Sequence, residues 1–261
     1  MSKFFTVEVK PIIPAGLQAA EVFGGDGVND LLFDWTPFQV PKGAHKLTSI
    51  AVAFRGSDGN VQTAFAFDLH FARTINNVAP PSMGVINGTM SAVPALTNHM
   101  IGMCGLDVGD FGTNGWDLIG AAQTGGGSAS NNTPNLVLQG EPDSGDNVGY
   151  DTLYIGGEMG PDDTSNDFGF DFRSTCETNN TGAPGGAQGT GQPELVVSTK
   201  NALKVFAPGD TVHDEDDRLM GVVKTVASSK LVFEDNLANA SVNDKDLYNI
   251  NPIKITLSFE K

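Results

Sequence analysis

Residues 61 to 72 alternate between two sets of side chains, and this pattern constrains the fold more than any other part of the sequence. One set is Val61, Thr63, Phe65, Phe67, Leu69 and Phe71, and the other is Gln62, Ala64, Ala66, Asp68, His70 and Ala72. A period of two residues is typical of a β-strand with one packed face. We therefore expect a long strand whose phenylalanines and Leu69 face the interior, while Asp68 and His70 face away from it.

The same alternation recurs along the chain and predicts a mostly β protein. Ile50, Val52 and Phe54 alternate just before RGSDGN (55–60), whose composition predicts the turn of a hairpin that joins the two strands. FTVEVK near the start and IKITLSFE near the end show the same period. Further strands are predicted at 31–38, 136–139, 152–156, 168–173, 194–198, 203–206, 219–226 and 231–234, with short helical turns near 95–103 and 235–240.

These strands predict an all-β fold, a jelly-roll-like β-sandwich with a small β-barrel-like C-terminal segment. Two loops, 120–135 and 174–193, lack apolar groups to bury, so we expect them at the surface. The second loop divides the chain into a sandwich at 1–180, a Gly-rich loop at 181–193 and a C-terminal β segment at 194–261. The pattern leaves open whether this segment completes the same domain.

The charge of the chain limits its partners. It has 31 acidic and 15 basic residues and a net charge of −16. Direct binding to nucleic acid is not expected, because no basic stripe is available to neutralise phosphates, and such a protein tends to repel anionic membranes. The N-terminus has no apolar signal region and no stretch approaches the ~18 apolar residues of a membrane span, so we expect a soluble, unsecreted protein.

The two cysteines, Cys104 and Cys176, lie far apart in the sequence and match no CxxC spacing. This arrangement differs from the paired spacings of metal sites and of redox motifs. We therefore interpret both as free thiols.

One stretch, FAPGDTVHDEDDRLMGVV (206–223), places His213 beside four consecutive carboxylates, Asp214, Glu215, Asp216 and Asp217. A Pro-Gly-Asp turn signature precedes the carboxylates and apolar strand patterns flank them, which favours a solvated turn between two strands. An adventitious cation site and a catalytic acid cluster are the alternatives. A calcium loop is disfavoured because it needs alternating oxygen ligands, a glycine at its bend and a distal glutamate.

Other candidate sites have weaker patterns. GPDDTSNDFGFD (160–171) has Asp163, Ser165 and Asp167 at alternate positions, but a phenylalanine stands where a calcium loop needs glycine, and EPDSGDN (141–147) reads as an Asp-rich turn. The four histidines have no zinc spacing, and the nucleophile motif GxSxG does not occur. We predict no metal, no cofactor and no catalytic residue, and a protein that is not an enzyme. Paired acids of a glycoside hydrolase stay open because their separation is spatial.

The C-terminal part of the chain resembles a known class of proteins. Phe206-x-Pro-Gly-Asp210, Gly221-x-Val223-x-x-Val226, an apolar strand at 231–233, an Asn/Asp-rich link and a final NPIKITLSF follow one another. This arrangement resembles the C-terminal segments of structural proteins in marine tailed bacteriophages, including cyanophages. VPKGAHKLTSIAVAF, followed by a long second strand, is similar to jelly-roll decoration proteins of such phages.

The resemblance implies a virion structural protein, specifically a capsid decoration, or cement, protein that stabilises the head by binding the major capsid protein lattice. Such a protein is assembled in the cytoplasm of the host bacterium, and the family has no catalytic residues to transfer. Because sheet edges need cover and homo-oligomers usually have closed symmetry, we expect a homotrimer, which suits the threefold points of an icosahedral shell. A tail, baseplate or fibre-associated protein that binds a receptor or glycan is the alternative, and a carbohydrate-active enzyme is a third class.

Overall fold

The structure, a computed structural model, describes these parts of the 261-residue chain: 3–20, 23, 30–56, 61–91, 94–115, 117–123, 134–141, 149–159, 170, 172, 176–178, 190–197, 202–241 and 244–261. The strands are β1 (Phe4–Val9), β2 (Leu31–Pro41), β3 (His45–Phe54), β4 (Phe67–Arg73), β5 (Met100–Leu106), β6 (Phe111–Asn114), β7 (Asp117–Gln123), β8 (Leu136–Leu138), β9 (Tyr150–Met159), β10 (Glu194–Val196), β11 (Thr211–Asp214), β12 (Leu219–Ala227), β13 (Lys230–Phe233), β14 (Leu247–Asn249) and β15 (Ile253–Glu260). The helices are short: α1 (Ala15–Ala20), α2 (Pro94–His99), α3 (Ala202–Val205) and a 3₁₀ turn at Val108–Asp110.

The strands form three antiparallel sheets. The first has the order β1-β15-β3-β7-β6, with β8 also paired to β3, and the second has the order β2-β9-β4-β5. The third, which we call the insertion sheet, has the order β10-β13-β12-β11-β14. The predicted all-β fold is therefore confirmed.

The first two sheets have the strand order of a jelly roll. Four strands, β1, β15, β3 and β7, lie side by side in one sheet, and β2, β9, β4 and β5 lie side by side in the other. Along the chain, these eight strands pass from one sheet to the other at every step except from β4 to β5, which are neighbours in the second sheet. This is the arrangement of eight strands that form two Greek keys. The jelly-roll-like sandwich predicted from the sequence is thus present.

The insertion sheet interrupts the jelly roll between its last two strands. All five of its strands lie in the sequence between β9 and β15, and residues 253–260 then return to the first sheet between β1 and β3. The C-terminal segment predicted at 194–261 therefore contributes its final strand to the sandwich. Its other described strands form an open sheet with β10 and β14 at the edges, rather than a closed barrel.

The sandwich core lies between the first two sheets and is rich in phenylalanine. Phe65, Phe67, Leu69 and Phe71 are all buried in it, as the alternation predicts. The ring of Phe54, from the opposite sheet, lies 5.6 Å from that of Phe67 in an edge-on arrangement. Aromatic pairs of this kind contribute stability beyond the area that they bury.

The predicted hairpin between residues 50–54 and 61–71 is wrong. β3 pairs with β15, β7 and β8 in the first sheet, whereas β4 pairs with β5 and β9 in the second. Both strands bury their apolar sides in the same core from opposite sheets. Alternation predicted β3 correctly, but only the second half of the strand predicted at 61–72 is one, because β4 begins at Phe67 and residues 61–66 form no strand. Alternation also carries no information on which strand is the neighbour.

Most other predicted strands are confirmed with shifted ends. They correspond to β2, β8, β9, β10, β12 and β13, and the helical turn predicted near 95–103 corresponds to α2 followed by β5. The strand predicted at 203–206 is wrong, because Ala202 to Val205 form helix α3, and the N–H of Phe206 donates to the Ala202 carbonyl. The strand predicted at 168–173 lies outside the described residues apart from Phe170 and Phe172, and so do most of the loops 120–135 and 174–193.

The two sheets of the sandwich differ in what covers their outer faces. The connection between β4 and β5 covers the second sheet, where Met83 and Leu96 pack against Leu31, and the Trp35 indole donates to the Pro81 carbonyl at 2.9 Å. The outer face of the first sheet is exposed or half-buried within the described part of the chain. We call it the open face, and its side chains are Phe4, Thr6, Glu8, Lys46, Ala51, Ala53, Ile119, Ala121, Val137, Lys254, Thr256, Ser258 and Glu260.

Candidate functional site

A groove of about 360 Å³ lies where the open face meets the insertion sheet. Its volume falls within the usual range for small-molecule sites, roughly 300–1,000 Å³. The sandwich side contributes Lys10, Ala53, Arg55, Asp117 and Lys254, and the insertion with its return link contributes Ala207, Pro208, Asp210, Asn251 and Pro252. The groove therefore exists only when the insertion is folded against the sandwich.

Arg55 is the central side chain of the groove. It follows β3 directly, and its backbone N–H donates to the Pro252 carbonyl at 2.8 Å. Its guanidinium lies 3.5 Å from both carboxylate oxygens of Asp117, on β7, and 3.6 Å from Asp210, on the insertion. These separations exceed the usual 2.7–3.2 Å of a hydrogen bond, so Arg55 joins the two carboxylates loosely.

Asp210 is held at the end of a tight turn. Pro208 and Gly209 occupy its central positions, and Gly209 has a φ of 89°, as a type II turn requires. The Asp210 carboxylate accepts the N–H of Ala207 at 2.8 Å. Burial raises the pKa of Asp210, and the Arg55 guanidinium opposes this shift. The Pro-Gly-Asp signature read from the sequence thus places a buried carboxylate in the groove wall.

Two lysines flank Arg55 at the rim of the groove. Lys254 Nζ lies 2.6 Å from Glu8 Oε2, and Lys10 Nζ lies 3.3 Å from Glu8 Oε1. The hydrogen bond from Lys254 is the main reason why the pKa of Glu8 is below its ordinary value. Both lysines thus pair with one carboxylate, that of Glu8, and the charges of the groove and its rim balance when Arg55, Asp117 and Asp210 are included.

Asn251 shapes the floor of the groove. Its side-chain NH₂ donates to the carbonyls of Lys10 and Pro11 at 3.2 and 3.1 Å, and its backbone N–H donates to Asn249 Oδ1 at 2.9 Å. These bonds fix the link between β14 and β15 against the end of β1. The groove therefore presents donors and acceptors side by side on a rigid frame, which suits recognition by hydrogen bonding.

The acidic run at 213–217 forms a turn, as predicted, but it is not solvated throughout. Asp214 is only 2% exposed, and it accepts the backbone N–H groups of Asp216 and Arg218 as well as the Arg218 Nε–H at 2.8 Å. Asp216 and Asp217 are exposed. The solvated-turn prediction is therefore wrong for Asp214, which organises the turn from inside.

The rest of the acidic run also makes structural contacts. Glu215 and Asp216 form ion pairs with Lys245. Asp217 reaches across to the sandwich, where its carboxylate accepts the N–H of Ala15, the first residue of α1, at 2.6 Å. The Asp217 contact fixes the start of α1 against the insertion, whereas the ion pairs with Lys245 lie within the insertion itself.

A second group of titratable residues lies on the outer face of the second sheet. His70 Nε2 is 2.9 Å from Glu158 Oε2, and both side chains are buried beneath the β4–β5 connection. Half-buried Asp68 stands on the same face, and burial raises its pKa. Asp68 and His70 face away from the sandwich core as predicted, but the covering connection keeps His70 from solvent.

Both cysteines are free and buried, which confirms the sequence interpretation. Burial is the main reason why the pKa of the Cys104 thiol rises to about 11, and the nearby carboxylates of Asp68 and Asp110 add to it. The thiol therefore stays protonated at neutral pH, which is the unreactive form.

The calcium-like stretch at 160–171 lies outside the described residues apart from Phe170, and residues 142–148 of the Asp-rich turn lie outside them as well. Where the chain is described, no group of three or more His, Cys, Asp or Glu side chains is placed to hold a metal ion.

None of the described helices has the length and apolar character that crossing a bilayer requires.

Comparisons of the chain with protein-family models, with curated proteins and with solved structures found no match.

Proposed function

We propose that this chain is a structural protein of a tailed-bacteriophage virion, and that it is a capsid decoration, or cement, protein. The observation that carries the proposal is a jelly roll with one outer sheet face covered by its own chain and the other open among the described residues. An antiparallel sheet commonly packs one face on the core and leaves the other uncovered, and the uncovered face is available to a partner. The resemblance of the C-terminal segment to marine phage structural proteins supports the same conclusion.

The open face gives a partner close access to the sheet. Its middle carries small side chains, including Ala51, Ala121, Thr256 and Ser258, so a partner can approach the sheet closely. Small side chains bury little area, so each contributes little energy to such a contact. Many equivalent contacts on a repeating lattice make weak individual contacts sufficient.

One row of the open face carries its largest exposed apolar side chains. Phe4, Glu260, Lys46 and Val137 lie directly opposite one another on the adjacent strands β1, β15, β3 and β8. Phe4 is 71% exposed and Val137 is 65% exposed. We call this set the apolar row. Aromatic side chains are enriched in protein interfaces, and on the strength of the exposed Phe4 ring we assign the apolar row to the contact with the major capsid protein.

The test is binding to phage heads that lack this protein. Purified wild-type protein is mixed with such heads, and the bound fraction is measured by sedimentation and located by cryo-electron microscopy. We expect saturable binding at many equivalent lattice positions. We expect Phe4→Ser combined with Val137→Ser to weaken it at least tenfold.

Leu203→Ser is the matched control, because Leu203 is an exposed apolar residue on α3, in the insertion, and is not one of the side chains of the open face. Equal binding of the double variant and the control would overturn the assignment of the apolar row. Particles that carry the protein only in the tail, or not at all, would sink the decoration role.

The alternative role, in a tail, baseplate or fibre with receptor or glycan binding, is favoured by a different observation. The groove beside Arg55 has the volume and polarity of a ligand site, which contact with the capsid does not require. The position of the protein within the particle separates the two roles. In both, the proposed action is binding rather than catalysis.

A further inference from the structure

We infer that the groove between the open face and the insertion sheet is a binding site for a neutral saccharide. The inference rests on the groove itself and holds for a head or a tail protein. It is argued from charge balance, from the arrangement of donors and acceptors, and from the shape of the walls.

Charge balance favours a ligand without net charge. The groove and its rim hold three cations, Lys10, Arg55 and Lys254, and three carboxylates, Glu8, Asp117 and Asp210. An anion would have to displace these carboxylates on a protein whose net charge is −16. A cation would have to displace Arg55 and the lysines. A neutral polyol disturbs neither set.

The donors and acceptors are arranged for hydroxyl groups. A hydroxyl can donate one hydrogen bond and accept two, so it fits between a guanidinium and a carboxylate. Arg55 lies 3.5 Å from Asp117 and 3.6 Å from Asp210, so a small further separation of these groups would break no short hydrogen bond. Neighbouring hydroxyls of a sugar can then accept from Arg55 while donating to Asp117 and Asp210.

The walls add apolar contact and set the size of the ligand. Pro208, Pro252 and Ala53 offer apolar surface to the C–H faces of a sugar ring. None of the described residues that line the groove has an aromatic ring, so they provide none of the stacking that strengthens many sugar sites. We expect room for one or two sugar units and a Kd on the order of 1 mM for a single site.

The test is saturation-transfer NMR on the purified full chain. The neutral probes are glucose, galactose, mannose, N-acetylglucosamine and their disaccharides, and the charged probes are galacturonate and glucosamine. We expect saturable transfer to at least one neutral probe, and a Kd that changes less than twofold between 20 and 300 mM salt. We expect Asp117→Asn and Arg55→Gln each to weaken that binding at least fivefold.

Lys230→Gln is the matched control, because Lys230 pairs with Glu194 on the insertion sheet and does not line the groove. It should leave sugar binding unchanged, while thermal melting of each variant checks that the fold is retained. Lys254→Gln provides a second variant at the rim if Arg55→Gln fails to fold.

Three outcomes would overturn the inference. They are an absence of transfer to every neutral probe, binding that all groove variants retain, and binding only to charged probes that disappears at high salt. None of these results depends on particle location, so they are distinguishable from a failure of the decoration role.

Discussion

Phe67 lies in the sandwich core, where its ring packs against phenylalanine rings from both sheets. Its ring lies 6.2 Å from that of Phe33, 5.6 Å from that of Phe54 and 6.5 Å from that of Phe170, and only 1% of the residue is exposed. Rings around a single centre leave a large cavity when that centre is removed, because their own backbones hold them in place.

We expect Phe67→Ala to lower the free energy of unfolding by about 3–5 kcal/mol, through lost burial and the cavity that remains. Urea unfolding measures it, and Phe4→Ala on the exposed edge should change stability by less than about 0.5 kcal/mol. A loss below about 1 kcal/mol at Phe67 would mean that the core closes over the gap.

Asp68 should give the protein a distinctive pH dependence. Burial raises its pKa above the ordinary 3.8. The folded state therefore holds this proton more tightly than the unfolded chain, so the stability that it contributes is complete below pH 3.8 and is lost as the pH rises through the folded-state pKa. Asp68→Asn removes the titration. We expect the stability of this variant, relative to wild type, to rise as the pH increases from 3.8 through the folded-state pKa of Asp68 in urea unfolding.

Glu141 should give a pH dependence of stability that is opposite in sign to that of Asp68. The backbone N–H groups of Asn77 and Asn76 hold its pKa below the ordinary 4.5, the bond from Asn77 contributing more. Its contribution to stability is present above pH 4.5 and is lost as the pH falls through the folded-state pKa. Glu141→Gln should therefore be less stable than wild type at neutral pH, with the gap closing in acid. For Asp68, the assignment would be contradicted if the free energies of unfolding of wild type and Asp68→Asn changed in parallel with pH.

Arg55 and Asp214 show which roles the sequence could not predict at this scale. Arg55 stands at the start of a predicted turn, and nothing in the local pattern connects it with Asp117 or Asp210. Asp214 looks like its exposed neighbours, because a run of carboxylates has no apolar alternation to mark the one that turns inward. The turn that ends at Asp210 could be predicted from the sequence, because a Pro-Gly pair specifies a backbone geometry that needs no distant partner.

At the scale of elements, β9 shows how a strand is fitted to its neighbours on both faces. Gly157 is buried between β2 and β4, and a Cβ at this position would overlap the rings of Phe33 and Phe67. Gly112, on β6, would place a Cβ in open space. The first glycine is required by packing, and the second is not.

We expect Gly157→Ala to cost about 1–3 kcal/mol because two buried rings must shift. The melting temperature should fall by about 2–4 °C for each kcal/mol in a chain of this size. Gly112→Ala is the matched control and should change the melting temperature by no more than about 2 °C. An equal effect of both substitutions would show that backbone freedom, not ring packing, decides the cost.

The sequence predicted most strands because alternation depends only on one face being buried, and every long strand of the sandwich meets that condition. Strand pairing was less predictable. β3 and β4 bury their apolar sides in one core from two sheets, and the connection between them has the composition of a hairpin turn. Helix α3 was missed because one turn with two buried residues, Ala202 and Val205, has too few positions to show a period.

At the scale of the molecule, the insertion is tied to the sandwich by its return strand and by contacts along α1. The Gln18 side chain donates to the carbonyls of Ile13 and Asn249 at 2.7 and 3.0 Å, and the N–H of Ile13 donates to Ile250 at 2.8 Å. β15 then lies between β1 and β3. The sandwich cannot complete its first sheet without the residues that follow the insertion, so the two parts depend on one another.

The last prediction concerns assembly. Within the described part of the chain, β1 in the first sheet and β5 in the second are edge strands, and edge strands need cover from neighbours. Closed rotational symmetry provides that cover with identical contacts, and a trimer matches the threefold points of an icosahedral shell. We expect light scattering of the purified protein to give three times the 27.4 kDa mass of the chain. Because we propose that the apolar row contacts the capsid, we expect the Phe4→Ser, Val137→Ser double variant to remain trimeric while it loses binding to phage heads. A monomeric wild type would refute the solution trimer, and a double variant that falls apart would reassign the apolar row to the contact between copies.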